Sequence, residues 1–394
     1  MVPPTSRSAP ETTAAPKPMS IVATVHRAAC TGGVELSVLH TTRALAGKGH
    51  RIHLIYREGG DLLAEYAKFC QSMEQVDNLE VHFPRNPLRR LRELSSVREV
   101  TALAAAKQPD VYYMSRSFTA AWALDAVRIW PAPVVCHWRG ISLPPARDLR
   151  RLARGVTRFI ANSRFTLGHW LAAGIDPSRA EVVYNGVSAE EYPEGSEHQQ
   201  REARRRLGLP AQGYVAVFTG RLDPEKGVEV LIDAWRRADL GADAVLLVVG
   251  APVVTGGDYL DHLRQLAPAS VRFLGAQRDV VTPLHASDVA VVPSMWDEPF
   301  GRVVIEGLAT GRPVVASRVG GIPEILTGRL DRFLFDRGDA AQLADRLEGL
   351  RDWRAREPEL ANICAGRVKE SFSLDSMSSG VEGVLQRARA AFGN

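Results

Sequence analysis

Residues Tyr214–Ala238 read YVAVFTGRLDPEKGVEVLIDAWRRA. An unbroken apolar run, Tyr214–Thr219, ends at Gly220, and apolar positions return at helical spacing from Val228 to Ala238. The loop between them is Gly220-Arg221-Leu222-Asp223-Pro224-Glu225-Lys226-Gly227. A strand, a loop and a helix are therefore predicted in that order. Consecutive apolar strand residues need cover on both faces, which a parallel sheet between helix layers provides.

The same unit recurs on both sides. Downstream, Ala244–Gly250, Val271–Leu274, Val289–Val292 and Pro313–Ala316 are predicted strands with helices between them. Upstream, strands are predicted at Ile21–Val25, Ile52–Tyr56, Leu79–Phe83, Val111–Met114, Val134–His137, Phe159–Ala161 and Val182–Tyr184. A helix is predicted over Val34–Lys48, stopped by Gly49. Tyr184-Asn185-Gly186 is a turn signal, and the polar stretch Ser188–Gln200 reads as a linker. The expectation is two successive doubly wound α/β units, 19–187 and 188–372, with a ligand in the cleft where their strand ends meet. A last helix, Ser373–Phe392, follows the second unit and is expected to pack back across the hinge.

Composition agrees with two ordinary domains. The chain has 394 residues, 45% apolar and 24% charged, too long for one typical domain and too apolar for disorder. The opening 18 residues, MVPPTSRSAPETTAAPKP, lack a signal peptide's apolar centre and read as a disordered leader. Four scattered cysteines (Cys30, Cys70, Cys136, Cys364) show neither paired spacing nor a zinc pattern, and fit reduced thiols in a cytoplasmic protein. No apolar run approaches the roughly 20 residues of a membrane span. Arg outnumbers Lys 43 to 6, as in a GC-rich bacterial coding sequence.

The net charge of +4 is uneven, because Met19–Gly186 carries 22 basic and 14 acidic residues. Basic clusters stand at Arg85–Arg92 and Arg150–Arg158. Solvated helix faces account for them simply; an anionic acceptor, or lipid headgroups at the inner face of a membrane, is the sharper alternative. Neither cluster interleaves aromatics for base stacking, which argues against nucleic acid.

Three constellations fall at predicted strand ends. Gly32-Gly33-Val34-Glu35 follows the first strand and opens a helix, where small residues and free N–H groups admit a phosphate. It is not the G-x-G-x-x-G fingerprint, which argues against NAD. In the loop after Thr219, Arg221 offers a planar fork and Lys226 a mobile point charge, and together they suit a diphosphate. The third is Ser294-Met295-Trp296-Asp297-Glu298-Pro299-Phe300-Gly301 before a helix over Arg302–Leu308 that carries Glu306. A carboxylate is an acceptor that can take two vicinal hydroxyls, so one glutamate can hold a sugar and the other a ribose. A macrodipole partner is the plainer reading of a glutamate at a helix start.

The last two stretches resemble the retaining GT-B glycosyltransferases of family 4, whose second domain carries an E-x7-E signature. The resemblance extends from Met19 onward. It includes Tyr184-Asn185-Gly186-Val187, Phe273-Leu274-Gly275, Glu298-Pro-Phe-Gly…Glu306, Arg312-Pro-Val-Val-Ala-Ser and Gly320-Gly-Ile-Pro-Glu324. It implies the GT-B fold, two facing Rossmann-like domains with an interdomain cleft. It also implies a nucleoside-diphosphate sugar, UDP being the commonest, and a hexose or N-acetylhexosamine transferred to a hydroxyl. Arg221 and Lys226 would then bind the diphosphate, Glu298 the sugar hydroxyls with the Phe300 and Gly301 amides beside it, and Arg302 the donor as well. Glu306 would take the ribose, Gln277 and Arg278 would face the base, and Gly33 would close on the pyrophosphate.

In similar enzymes a histidine at the end of the strand corresponding to Val134–His137 lies beside the reacting sugar, which nominates His137. His26 and Glu35 are acceptor-side candidates. No residue is an evident covalent nucleophile, and the family's favoured route is front-face substitution in which the departing phosphate helps take the acceptor's proton. The D-x-D metal motif is absent, so neither metal nor other cofactor is expected. The acceptor stays open among small molecules, glycans and lipid-linked glycans. A nucleotide-sugar epimerase of the same fold and a catalytically silent nucleotide-sugar-binding protein are the other readings. The epimerase does not need the Glu298…Glu306 pair, and silence would call for a lost site residue.

Overall fold

A computed structural model of the chain describes residues 17–30, 32–79, 87–253 and 257–392. The expected leader, but for Lys17 and Pro18, lies outside them. Seven strands form the first sheet: β1 (Ser20–Arg27), β2 (Arg51–Glu58), β3 (Cys70–Gln75), β4 (Val111–Met114), β5 (Val134–Trp138), β6 (Arg158–Ala161) and β7 (Ala180–Val182). Six form the second: β8 (Val215–Thr219), β9 (Val245–Val249), β10 (Val271–Gly275), β11 (Val289–Val292), β12 (Val314–Ser317) and β13 (Leu334–Phe335). The orders are β3-β2-β1-β4-β5-β6-β7 and β10-β9-β8-β11-β12-β13, with parallel pairing such as Ile21↔Ile52 and Val217↔Leu247.

This order has a direct consequence for ligand binding. In each sheet the winding reverses direction once, between β1 and β4 and between β8 and β11. Loops leaving those neighbours diverge to opposite faces, so a crevice opens beyond their carboxyl ends. The Gly-Gly loop follows β1, and the Arg221/Lys226 and Glu298 loops follow β8 and β11.

Central strands are apolar throughout and buried, as expected for a sheet covered on both faces: VLLVV in β9 and VAVV in β11 are buried at every position. The expected strand Leu79–Phe83 lies outside the described residues except for Leu79, which is in irregular backbone, and the described edge strand, Cys70–Gln75, is not among the expected ones. Its sequence, CQSMEQ, is polar because an edge strand needs little apolar cover.

The chain crosses between units twice, side by side. Val187 N donates to Phe372 O at 3.0 Å, and Leu374 N donates to Val187 O at 3.0 Å. A Cβ on Gly186 would stand 2.3 Å from Ser373 O, so only glycine permits this approach. The final helix, Leu374–Phe392, returns to the first unit. Its Met377, Val381, Val384 and Leu385 share one core with Ile21, Ile52, Val111, Tyr113, Val135 and Ile160. Along its edge, Glu382 accepts from Lys48 at 2.9 Å and lies 3.0 Å from His50 Nε2.

Candidate active site

Both switch points open into one cleft of about 650 Å³, walled by residues of both units. From the first come His26, Gly33, Glu35, Arg116, Trp138 and Arg139; from the second come Arg221, Lys226, Trp296, Glu298, Phe300, Gly301 and Arg302.

The second-unit wall is three loops laced together. Met295 N donates to Glu225 O at 2.8 Å, which ties the loop after β11 to the loop after β8. Gly321 N donates to Glu298 O at 2.8 Å, which ties in the loop after β12. Gly320 has φ +55°, and a Cβ there would stand 2.0 Å from Glu298 O. Glycine therefore seats the Glu298 backbone, and the carboxylate above it is fixed in turn. Glu298 Oε1 accepts from Ser294 Oγ at 2.8 Å and from Lys226 Nζ at 2.7 Å. Lys226 also lies 5.1 Å from the centre of the Trp296 ring, a cation–π contact.

Arg221 pairs with Asp223 at 3.0 Å and with Glu225. Gly301 is the N-cap of the helix Arg302–Ala309, so the first amides of that helix have no carbonyl partner within it. Arg302 Nε donates to Glu306 Oε1 at 2.7 Å, both side chains nearly buried. Gly33 packs across the cleft on Arg302, whose Cδ would stand 3.4 Å from a Cβ at that position.

The two units are clasped beside these loops. Pro299 O accepts from Ser163 Oγ and from Thr166 Oγ1. Glu324 accepts from the backbone N–H groups of Arg164 and Phe165 at 2.8 Å each, and from Tyr184 Oη at 3.0 Å. A second-unit carboxylate thereby satisfies the exposed amides of the first-unit helix Arg164–Ala172.

Of the residues nominated from sequence, His26, Gly33, Glu35, Arg221, Lys226, Glu298, Phe300, Gly301 and Arg302 meet in the cleft wall. Glu306 stands behind it, one turn along, held by Arg302. Gln277 is exposed, donates to Leu274 O at 2.6 Å, and does not line the cleft; Arg278 beside it is exposed as well.

His137 is also displaced from its expected place. It is fully buried, and its Nδ1 lies 2.7 Å from Tyr113 Oη and 2.9 Å from Arg139 Nη2. An arginine only donates, so Nδ1 is the acceptor and the proton rides on Nε2, which has no partner. Burial, with Arg139 adding to it, pushes this imidazole well below the usual histidine range, so it is neutral. Arg139 lines the cleft in its stead. Strand residues two apart share a face, and the later one lies nearer the strand's carboxyl end. That rule points from His137 to Arg139. Arg116 and Trp296 had no such signal; Arg116 donates to Glu35 Oε1 at 3.0 Å.

Two family models match in tandem: Glycosyltransferase Family 4 over residues 31–191 and Glycosyl transferases group 1 over residues 199–362. A D-inositol 3-phosphate glycosyltransferase of Salinispora arenicola is 36% identical over 268 residues, 64% of this chain and 59% of that protein. The match thus spans less than two thirds of that relative's length. One of the same description from Frankia alni is 28% identical, over 91% of this chain and 95% of its own. Among solved structures, Anabaena HepE in complex with UDP and glucose superposes with TM-score 0.80 at 23% identity, over 93% of this chain and 99% of that one. Sucrose-phosphate synthase from Thermosynechococcus elongatus gives 0.77 at 19% identity, over 94% and 100%. With a family model matching each unit and these structures superposing along nearly the whole chain, the chain belongs to the family 4 glycosyltransferases of GT-B fold.

Proposed function

We propose that the chain transfers a hexose or N-acetylhexosamine from a nucleoside-diphosphate sugar, UDP foremost, to a hydroxyl, with retention at the anomeric carbon and without a metal ion. The observation that carries this reading is the placement of Lys226 against Glu298 in the wall of the shared cleft. A cation for the diphosphate and an acceptor for sugar hydroxyls are adjacent, as one donor molecule spanning both requires. Lys226 and Arg221 would stabilise charge gathering on the departing phosphate. The bond from C1 to the phosphate oxygen breaks while the acceptor oxygen joins C1 on the same face, and the acceptor's proton passes to a phosphate oxygen. The neighbour holding UDP and the relatives named for inositol 3-phosphate make UDP and a polyol phosphate the first ligands to try.

Thermal shift against UDP, GDP, ADP, CMP and dTDP, with NAD and NADP as controls, tests the donor site, because a ligand of the folded state alone raises Tm. A shift with one diphosphate supports the reading; a shift only with NAD(P) overturns it. Transfer abolished by EDTA and restored by Mg²⁺ would remove the metal-free claim.

A membrane contact is part of the same proposal. Arg128, Arg147, Arg150, Arg151 and Arg154 line a groove of about 740 Å³ on the first unit. Ile129 and Trp130, which follow Arg128 in the chain, are 60% and 36% exposed. Clustered arginines next to an exposed aromatic suit anionic headgroups and the interfacial layer beneath them. No described helix is long and apolar enough to cross a membrane.

A further inference from the structure

The cations that line the cleft differ in one respect. Arg27 pairs with Glu58, Arg116 with Glu35, Arg221 with Asp223 and Glu225, Lys226 with Glu298, and Arg302 with Glu306. Arg139 pairs with no carboxylate among the described residues, although it is only 5% exposed. Its hydrogen-bond partners include no carboxylate: Nη2 reaches His137 Nδ1 at 2.9 Å, Tyr113 Oη at 3.1 Å and Thr41 Oγ1 at 3.4 Å, and Nη1 reaches His137 O at 3.5 Å, while Nε has no partner. A buried cation is normally compensated by an anion, since desolvation without one is costly.

Building on the transfer reading above, we propose that Arg139 is the receptor for an oxyanion carried by one of the two reactants, a carboxylate or phosphate substituent distinct from the donor's diphosphate. The diphosphate already has Arg221 and Lys226 on the facing unit. Arg139 belongs to the first unit and lines the cleft; with Nη2 taken by Tyr113, His137 and Thr41, and Nη1 near His137 O, its Nε–H is left without a partner, and a guanidinium N–H suits carboxylate and phosphate oxygens. Tyr113 and His137 act as positioning residues: His137, neutral and accepting through Nδ1, fixes the guanidinium without cancelling its charge. The oxyanion has two sources, a hexuronate as the transferred sugar or a phosphate on a polyol acceptor.

The test compares the wild-type protein with Arg139→Gln and Arg139→Lys. Calorimetry measures UDP first, then UDP-glucuronate against UDP-glucose, then inositol phosphate against inositol on the UDP complex. Transfer rates are read for the same four pairings. Wild type is expected to prefer the charged form of one reactant by tenfold or more. Arg139→Gln should lose that preference with UDP affinity changed less than threefold, and Arg139→Lys should keep part of it. Preference in the donor arm assigns the anion to the sugar, and preference in the acceptor arm assigns it to the polyol. Equal treatment of charged and neutral forms by wild type, or a preference that survives Arg139→Gln, overturns the assignment while UDP binding stands. Loss of the glutamine variant's fold would show as lost UDP binding, and the lysine variant then decides. A wild-type protein that binds no UDP overturns the transfer reading and this one with it.

Discussion

Lys226 and Glu298 lie 2.7 Å apart although they leave different strands, β8 and β11, and they are expected to hold opposite parts of one donor. In the free protein each is the other's partner. Both side chains are largely buried, at 17% and 11% exposure, so neither can be removed alone without stranding a charge. Lys226→Met and Glu298→Gln are each expected to cost about 3 kcal/mol of stability. The double variant should cost clearly less than the sum, read by urea unfolding. Strict additivity would mean the pair is not coupled.

Donor affinity separates from stability. Lys226→Met and Glu306→Ala should each weaken UDP binding tenfold or more, the loss of a charge-assisted contact worth about 1.5–3 kcal/mol. Calorimetry at fixed ionic strength checks this. Unchanged affinity in both would remove the donor-site assignment.

Gly320→Ala should act at a distance through the backbone. The left-handed φ costs a non-glycine residue about 1–3 kcal/mol, and the new methyl must push away Glu298 O. A lower Tm together with weakened UDP binding is expected. Gly349→Ala, at the last position of a helix with open space at that Cβ, is the control and should leave both intact. Equal effects at the two sites would remove the claim that Gly320 seats the Glu298 loop.

Acid should destabilise the fold through its buried histidines. His137 is held well below the unfolded value of about 6.5, and burial lowers His53 and His285 as well. Below about pH 6.5 the unfolded chain binds protons that the folded chain refuses. Stability is therefore full above that pH and falls beneath it, by up to about 1.4 kcal/mol per pH unit for the fully buried His137 until its folded value is reached, and by less for the half-buried, solvent-screened His53. Urea unfolding at pH 7.5, 6.5 and 5.5 should show the fall, and His137→Gln should flatten it. The same slope in that variant would acquit His137.

The arginine groove predicts binding to vesicles containing phosphatidylserine, reduced by salt and by the triple change Arg147→Glu, Arg150→Glu, Arg154→Glu. Equal co-sedimentation with neutral vesicles would exclude it.

Much of this arrangement was legible because the chemistry is local. β4 and β11 begin and end where their apolar runs do, and the loops bearing Arg221, Lys226 and Glu298 follow strands readable from a few residues. What hid in the sequence depends on partners far along the chain. β3 is polar because it is an edge. Glu324 looks like any glutamate after Gly-Gly-Ile-Pro, yet it caps a helix of the other unit. His137 lies inside β5 and is buried, whereas Arg139 follows the strand and lines the cleft; where a strand ends is not readable from residue type. Strand β5 closes at Trp138, so the later residue emerges.

The return of the helix Leu374–Phe392 to the first unit also orders events during synthesis. Residues 188–372 are contiguous and can complete their sheet as they leave the ribosome. The first sheet is made earlier but stays uncovered on the face that Met377, Val381 and Leu385 will occupy. The half that is translated first is thus the half that matures last, and a chain interrupted between residue 372 and its final turns should keep the second unit while leaving the first open to chaperones and proteases.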